Sequence, residues 1–136
     1  MKVETKDNDQ LVYPSQYETE IVLNDGSAMV LRPIKIDDVE SWLAFLSRLG
    51  TDSKYLWSPQ IPTQMTPEEA LRFCTVDYNN VFALVGEVLK QNRREIVAIG
   101  RYYRLPKKNS AEVVLVIEDA YRRKGIGIRL LEYLVN

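Results

Sequence analysis

The sequence predicts an α/β (α+β) fold, in which a mixed, mostly antiparallel sheet carries helices against its faces. Three observations lead to this prediction. Two apolar-rich runs flank Asn24-Asp25-Gly26-Ser27, and Asp-Gly between such runs is a strong hairpin signal. Two segments with helical spacing follow, and the pattern then changes to apolar runs of strand length.

The first half of the chain contains the hairpin and two helices. Pro33 ends the second strand, and Asp37 or Asp38 is expected to cap the helix that follows. That helix ends at Gly50, and its apolar residues repeat at helical spacing: Val39, Trp42, Leu43, Leu46 and Leu49. After a proline-containing loop, a capping box begins the next helix, with Thr66, Pro67 and Glu69 as its parts.

The second half reads as three strands, a glycine loop and a helix. Strands over 81–90 and 95–105 flank a polar turn at 91–94, and a further turn leads to a strand over 111–118. A helix is expected to begin near Gly127 and to run towards Asn136. No internal repeat and no low-complexity tract occurs in the sequence.

Length and composition describe a single cytoplasmic domain. The 136 residues, 46% hydrophobic and 27% charged, fit one soluble globular domain over 13–136, preceded by a polar, flexible leader over 1–12. A net charge of -1 gives no global field for nucleic acid or for anionic membranes. The single cysteine excludes an intrachain disulfide and fits a reducing cytosol.

The absence of histidine restricts the chemistry that the chain can perform. It excludes Ser-His-Asp and Cys-His nucleophilic sites and removes the commonest zinc ligand, so we expect no metal. An acid–base enzyme would have to use Glu, Asp, Tyr, Lys or the single cysteine. Cys74 lies on a predicted helix without a basic neighbour in sequence, so an inert packed thiol is expected.

The stretch Arg122-Arg123-Lys124-Gly125-Ile126-Gly127 predicts a phosphate-binding loop. Backbone N–H groups at the start of a helix lack intrahelical partners and attract anions, and glycine allows close approach. The alternative is a glycine turn with solvated cations. A Walker loop is excluded because Ile128-Arg129 follows the glycines, and a Rossmann loop because Leu130 replaces its third glycine.

These residues resemble the acyl-CoA motif Gln/Arg-x-x-Gly-x-Gly/Ala of the GNAT N-acetyltransferases, and the order of elements is similar to that family's. Longer stretches, over 13–38, 72–78 and 111–118, resemble the acetyltransferase domain of bacterial protein lysine acetyltransferases. In that branch the domain is often fused to cyclic-nucleotide-binding or acyl-CoA-synthetase-like domains. The resemblance implies a GNAT-like sheet with flanking helices.

The resemblance also implies a division of labour among the residues. The loop would hold the pyrophosphate of acetyl-CoA, and the last strand would pair with the pantetheine arm as an added strand. The implied cofactor-binding residues are Leu115, Val116, Ile117, Arg122, Arg123, Lys124, Gly125, Ile126 and Gly127. Ala111-Glu112 matches the motif that supplies the general base, and apolar surroundings make a carboxylate a stronger base. The alternative places Glu112 at the strand start with its tip in solvent.

The implied function is acetyl-CoA-dependent N-acetyl transfer to protein lysine ε-amines by direct attack, with Glu112 as the base. Small amines, antibiotics and peptide termini are the alternative acceptors, because enzymes that acetylate them share the same cofactor-binding half of the fold. The alternative is a non-catalytic CoA-binding module or partner subunit. A complete GNAT domain continues past its third main helix, so this domain is expected to be incomplete at its C-terminus. A second copy, or a swapped segment, would then cover the exposed sheet edge.

Overall fold

The computed structural model describes residues 13–49, 64–78, 80–104, 111–121 and 124–135. Its helices and strands follow the predicted order: β1 Thr19–Val22, β2 Ala28–Pro33, α1 Val39–Arg48, α2 Pro67–Cys74, β3 Val81–Lys90, β4 Arg93–Arg104, β5 Ala111–Ile117 and α3 Ile126–Val135. The predicted leader over 1–12 and the predicted helix stop at Gly50 lie outside the described residues.

The five strands form one sheet in the order β1-β2-β3-β4-β5, and every pairing among the described strands is antiparallel. The predicted fold class is therefore confirmed. The β3–β4 pair is the longest, and its register shifts between Gly86 and Glu87. Gly86 faces Ala98 while Glu87 faces Ile96, so Val97 is an extra residue, as in a β-bulge.

Local turn chemistry explains both hairpins. Between β1 and β2, Gly26 has φ +89° and its N–H donates to the carbonyl of Leu23, while Asp25 Oδ1 accepts bonds from the backbone and hydroxyl of Ser27. Between β3 and β4, Gln91 and Asn92 have φ of 49° and 64°, the left-handed values of a two-residue hairpin loop. This turn is shorter than predicted, because β4 already begins at Arg93.

The helices pack on opposite faces of the sheet. Arg101 of β4 donates from Nη1 to the carbonyl of Phe73 in α2, whereas a Cβ on the adjacent Gly100 would lie 2.8 Å from Cδ1 of Leu134 in α3. Because successive strand residues point to opposite faces, α2 and α3 lie on opposite sides. The absence of a side chain at Gly100 allows α3 to lie close to β4.

The prediction of the helix cap is confirmed for α2 but not for α1. The capping box of α2 is confirmed: Thr66 Oγ1 accepts from the Glu69 N–H at 3.1 Å, and Glu69 Oε1 accepts from the Thr66 N–H at 2.9 Å. Asp38 does precede α1, but its side chain makes no capping hydrogen bond to the helix. Its carboxylate instead accepts from the Lys35 N–H and from the guanidinium of Arg32, which is a stronger, charge-assisted interaction.

Arg32, Asp38 and Glu87 form a buried charge cluster, called here the Arg32 cluster. The guanidinium donates to both oxygens of Asp38, at 2.8 and 2.6 Å, and to Glu87 Oε2 at 2.8 Å. All three residues are buried. The cluster joins β2, the turn before α1, and β3, so one side chain connects three parts of the fold.

Replacing the buried cation should destabilise the protein strongly. We expect Arg32→Met to lower the free energy of unfolding by about 3–5 kcal/mol, because two buried carboxylates lose their partner. Chemical denaturation measures this change. Arg94→Met is the matched control, because Arg94 is exposed and lies 3.7 Å from the same Glu87 carboxylate; it should cost at most about 1 kcal/mol. Equal losses in the two variants would contradict the assignment.

Candidate functional site

The turn between β5 and α3 is fixed from inside the fold. Glu118, directly after β5, donates its N–H to the Val97 carbonyl at 2.9 Å, and its buried carboxylate accepts from Arg48 Nε at 2.7 Å. Arg48 also donates to the Ile96 carbonyl at 2.7 Å. The Glu118 carboxylate is therefore directed towards α1 and away from the loop.

The glycine loop has the backbone that the sequence predicts. Gly125 has φ +82°, a conformation that favours glycine, and Ile126 is buried at the start of α3. The N–H of Arg129 donates to the Gly125 carbonyl at 3.3 Å, so the amides of the first helical turn have no intrahelical acceptor. The structure thus places Gly125, Ile126 and Gly127 at a helix N-terminus, where backbone dipoles favour an anion. Arg122 and Arg123 lie outside the described residues.

The tip of the first hairpin contacts this loop, which sequence reasoning missed. The Asn24 N–H donates to the Lys124 carbonyl at 3.2 Å, and Lys124 Nζ lies 2.5 Å from Asp25 Oδ2. The hydrogen bond from Lys124, aided by Ser27, holds the pKa of the Asp25 carboxyl well below its usual range. Asp-Gly in the sequence signals only the turn, so no local pattern could have revealed this contact.

Glu112 lies on β5, which is the last strand of the described sheet and pairs with β4. It is half-buried and shares a face with Val114 and Val116, both buried, as alternation predicts. Tyr103 stands opposite it in register. This is the face that carries α2, since Arg101 bonds to α2 from the neighbouring position.

Arg101 is the nearest cation on the same face of β4 as the partner of Glu112, two positions before Tyr103. Its guanidinium lies 3.8 Å above the Phe73 ring and 5.2 Å from the Tyr103 ring, and its buried Nε has no hydrogen-bond partner. Burial lowers the pKa of this guanidinium. Sequence reasoning did not single out Arg101, because one arginine in a strand carries no motif.

The structure therefore arranges the predicted residues along one strand and its exit. The positions of Leu115, Val116 and Ile117 lie between the glycine loop and Glu112. At about 3.3 Å per residue, Glu112 is roughly 17 Å along the strand from Ile117. An extended ligand with a phosphate at the loop could thus run along β5 towards the strand start.

Cys74 is a buried thiol on α2, as the sequence predicts. Burial, with a smaller contribution from the Asp38 charge, raises its pKa to about 12. At neutral pH it is a protonated thiol, and its environment gives it no nucleophilic role.

Three other findings concern the rest of the described chain. A cavity of about 280 Å³ lies away from β5 and contains none of the predicted site residues; Glu20, Ala28, Met29, Val30, Glu87, Val88, Leu89 and Arg94 line it. Among the described residues no group of three or more His, Cys, Asp or Glu side chains could hold a metal ion. No helix in the described part of the chain is long and apolar enough to cross a membrane.

The known proteins to which this chain is similar are acetyltransferases. No protein-family profile matches the chain. An acetyltransferase of Pseudomonas aeruginosa is 24% identical over 114 residues, which are 84% of this chain and 61% of that protein. The GNAT domain of PAT from S. lividans superposes with a TM-score of 0.78 at 27% identity, over 91% of this chain and 73% of that one. A GNAT-family acetyltransferase from Streptococcus pneumoniae gives a TM-score of 0.59 at 21% identity, over 79% and 64%.

The buried thiol leads to a pH-dependent prediction. Because the folded pKa of Cys74, about 12, exceeds the unfolded value of about 8.5, the thiol stabilises the fold fully below the unfolded value. That contribution is lost as pH rises towards 12. We expect Cys74→Ala to weaken the dependence of unfolding free energy on pH above 9. Native protein should also resist an aromatic disulfide reagent at pH 8 and react in urea. Rapid labelling of native protein would contradict this.

Proposed function

We propose that this chain, which belongs to the GNAT superfamily, transfers an acetyl group from acetyl-CoA to a primary amine. The observation that carries the proposal is the glycine turn at the start of α3, directly after the last strand of a five-stranded antiparallel sheet. The chain spans 61% of the length of the curated relative it matches. The proposal therefore concerns the chemistry that residues 13–136 contribute as one domain.

In this proposal acetyl-CoA lies along β5 with its pyrophosphate at the loop. The backbone N–H groups from Gly125 to Gly127 would donate hydrogen bonds to the phosphate oxygens. The lack of a side chain at Gly125 would allow the pyrophosphate to lie close to the backbone. Arg122, Arg123 and Lys124 complete the proposed loop. The backbones of Leu115, Val116 and Ile117 would hydrogen-bond to the pantetheine amides, as a peptide strand does when it is added to a sheet edge.

The proposed chemistry is direct transfer without a covalent enzyme intermediate. The neutral amine attacks the thioester carbonyl, and a backbone N–H of β5 stabilises the oxyanion that forms. The intermediate then expels the CoA thiolate, which leaves the amide product. Glu112 first accepts a proton from the substrate ammonium, which gives the neutral amine that attacks. The second proton that the nitrogen loses on forming the amide goes to the departing CoA thiolate. Its position supports this role, since it lies on the strand that would carry the thioester and faces Tyr103 in register.

We propose a protein lysine ε-amine as the acceptor. The support is the similarity of the stretches over 13–38, 72–78 and 111–118 to bacterial protein lysine acetyltransferases. Both the proposed substrate and the reduced thiol of Cys74 fit the cytoplasm. Cell fractionation would check this location, and recovery of the protein outside the cytoplasmic fraction would contradict it.

Glu112→Gln tests the base. We expect the variant to bind CoA as the original chain does, because the side chain does not hold the cofactor. The rate of CoA release in the presence of a lysine peptide should fall by about 10²–10⁴-fold, the usual contribution of a general base. Calorimetry and a thiol-release assay measure the two quantities.

The control for this test is Glu20→Gln, which removes an exposed carboxylate on β1. It should leave both CoA binding and acetyl transfer unchanged. Unchanged transfer in Glu112→Gln would exclude Glu112 as the base. CoA binding without any transfer in the original chain would favour the binding module over the enzyme.

The edge strand supports a further proposal, that a second copy of the chain covers the start of β5 around Val113, which leaves the edge at 115–117 to the pantetheine arm. Val113 on β5 and Ile128 and Leu131 on α3 are exposed apolar side chains, at 37%, 68% and 42%. Light scattering should therefore show a dimer or larger oligomer. Val113→Lys should shift the distribution towards monomer, since a charged edge opposes strand pairing. A stable monomer at high concentration would contradict the proposal.

A further inference from the structure

The hairpin tip of Asn24 and Asp25 makes three contacts with the start of the glycine loop. The Asn24 N–H donates to the Lys124 carbonyl at 3.2 Å, and Asp25 Oδ2 lies 2.5 Å from Lys124 Nζ. The third contact is steric, because a Cβ on Gly125 would lie 3.1 Å from Asn24 Oδ1. The hairpin tip thus contacts the start of the loop through a backbone hydrogen bond, an ion pair and close packing.

Hydrogen bonds within its own turn orient the Asp25 carboxylate for this contact. Its Oδ1 accepts the Ser27 N–H at 3.0 Å and the Ser27 hydroxyl at 2.6 Å. Both bonds lie within the turn, so they hold the carboxylate with Oδ2 directed at Lys124. A carboxylate fixed in this way loses little conformational freedom when it pairs with the ammonium.

The ion pair changes the role of Lys124. A lysine that contacts a phosphate directly should have its ammonium available, but here a carboxylate occupies it. Moving the ammonium to a phosphate would exchange one ion pair for another and leave a carboxylate close to an anion. The favourable potential for an anion then comes from the amide groups at the start of α3.

We propose that Asn24 and Asp25 position the loop, and that Lys124 acts through Asp25 rather than by binding a phosphate of CoA. The inference rests on the proposed function, since CoA is the ligand of the loop. It assigns the β1–β2 hairpin to the cofactor site. Asp25 and Lys124 are positioning residues, and the phosphate is bound by the backbone that they hold in place.

Three variants test the inference: Asp25→Asn, Lys124→Met and the double variant. Asparagine keeps the oxygen that accepts from Ser27 and replaces the charged Oδ2 with an NH2 group, which cannot accept from the Lys124 ammonium. If the pair positions the loop, each single change should weaken CoA binding by about threefold to fivefold, the range of a partly exposed ion pair. The double variant should bind no more weakly than either single one, because the two residues act as a unit.

Direct phosphate binding by Lys124 would give a different pattern. Asp25→Asn would then free the ammonium and leave CoA binding equal or tighter, and Lys124→Met alone would weaken it. That pattern, or independent losses that multiply in the double variant, would overturn the inference. Calorimetry with CoA at one fixed ionic strength measures all four affinities.

Two controls separate positioning from general effects. Lys90→Met removes another cation, whose Nζ lies 5.1 Å from the Tyr121 ring, and should leave CoA binding unchanged. Ser27→Ala removes the hydroxyl bond but keeps the pair with Lys124, and should weaken binding less than Asp25→Asn. If Lys90→Met lowered the affinity for CoA as much as Lys124→Met, net charge would decide binding, and the inference would be overturned.

Kinetics give a readout that overall destabilisation would not move. The KM for acetyl-CoA should rise in Asp25→Asn with kcat unchanged, because the loop binds the cofactor and performs no chemistry. CoA binding without transfer in the original chain would defeat the proposed function, while the four affinities would still decide on the positioning role. No CoA binding by the original chain would defeat both.

Discussion

Arg32 connects three parts of the fold through its buried side chain: β2, the turn before α1, and β3. Its planar guanidinium presents five donors, so one residue of β2 can bond Asp38 with two parallel bonds and reach Glu87 on β3 as well. Asp38 directly precedes α1, and this contact therefore fixes where the helix begins above the sheet. At its other end, α1 places Arg48 against Glu118. The turn from β5 into the glycine loop is thus supported through α1.

The proposed site uses the two ends of β5 and the two faces of the sheet differently. On one side α3 packs close to Gly100 and presents its first turn beside the end of the strand. On the other side Glu112 stands opposite Tyr103 in register, and Arg101 lies two positions before Tyr103 on the same face of β4. A ligand along the edge of β5 would have its anionic end at backbone amides and its other end near a carboxylate. In this proposed arrangement the phosphate would lie away from the Glu112 carboxylate.

Local signals in the sequence predicted most of the fold. The Asp-Gly turn, the Thr66–Glu69 capping box and the glycine at 125 each depend on residues close in sequence, and each is confirmed. Asp37 or Asp38 was predicted as the cap of α1. Asp38 takes the cap position but pairs with Arg32 instead, because a buried guanidinium competes better for a carboxylate than backbone amides do. The pairs Arg48–Glu118 and Asp25–Lys124 join distant segments, and no short pattern encodes them. The role of Glu112 stays a prediction.

The contact between the first hairpin and the loop also has a kinetic meaning. Asp25 and Lys124 are 99 positions apart in the sequence, so their contact closes a long segment of the chain. Closing so long a segment is slow compared with forming either the hairpin or the helix alone. During synthesis this contact cannot form until Lys124 has been translated. The ability to bind a cofactor at the proposed loop would therefore appear late in folding.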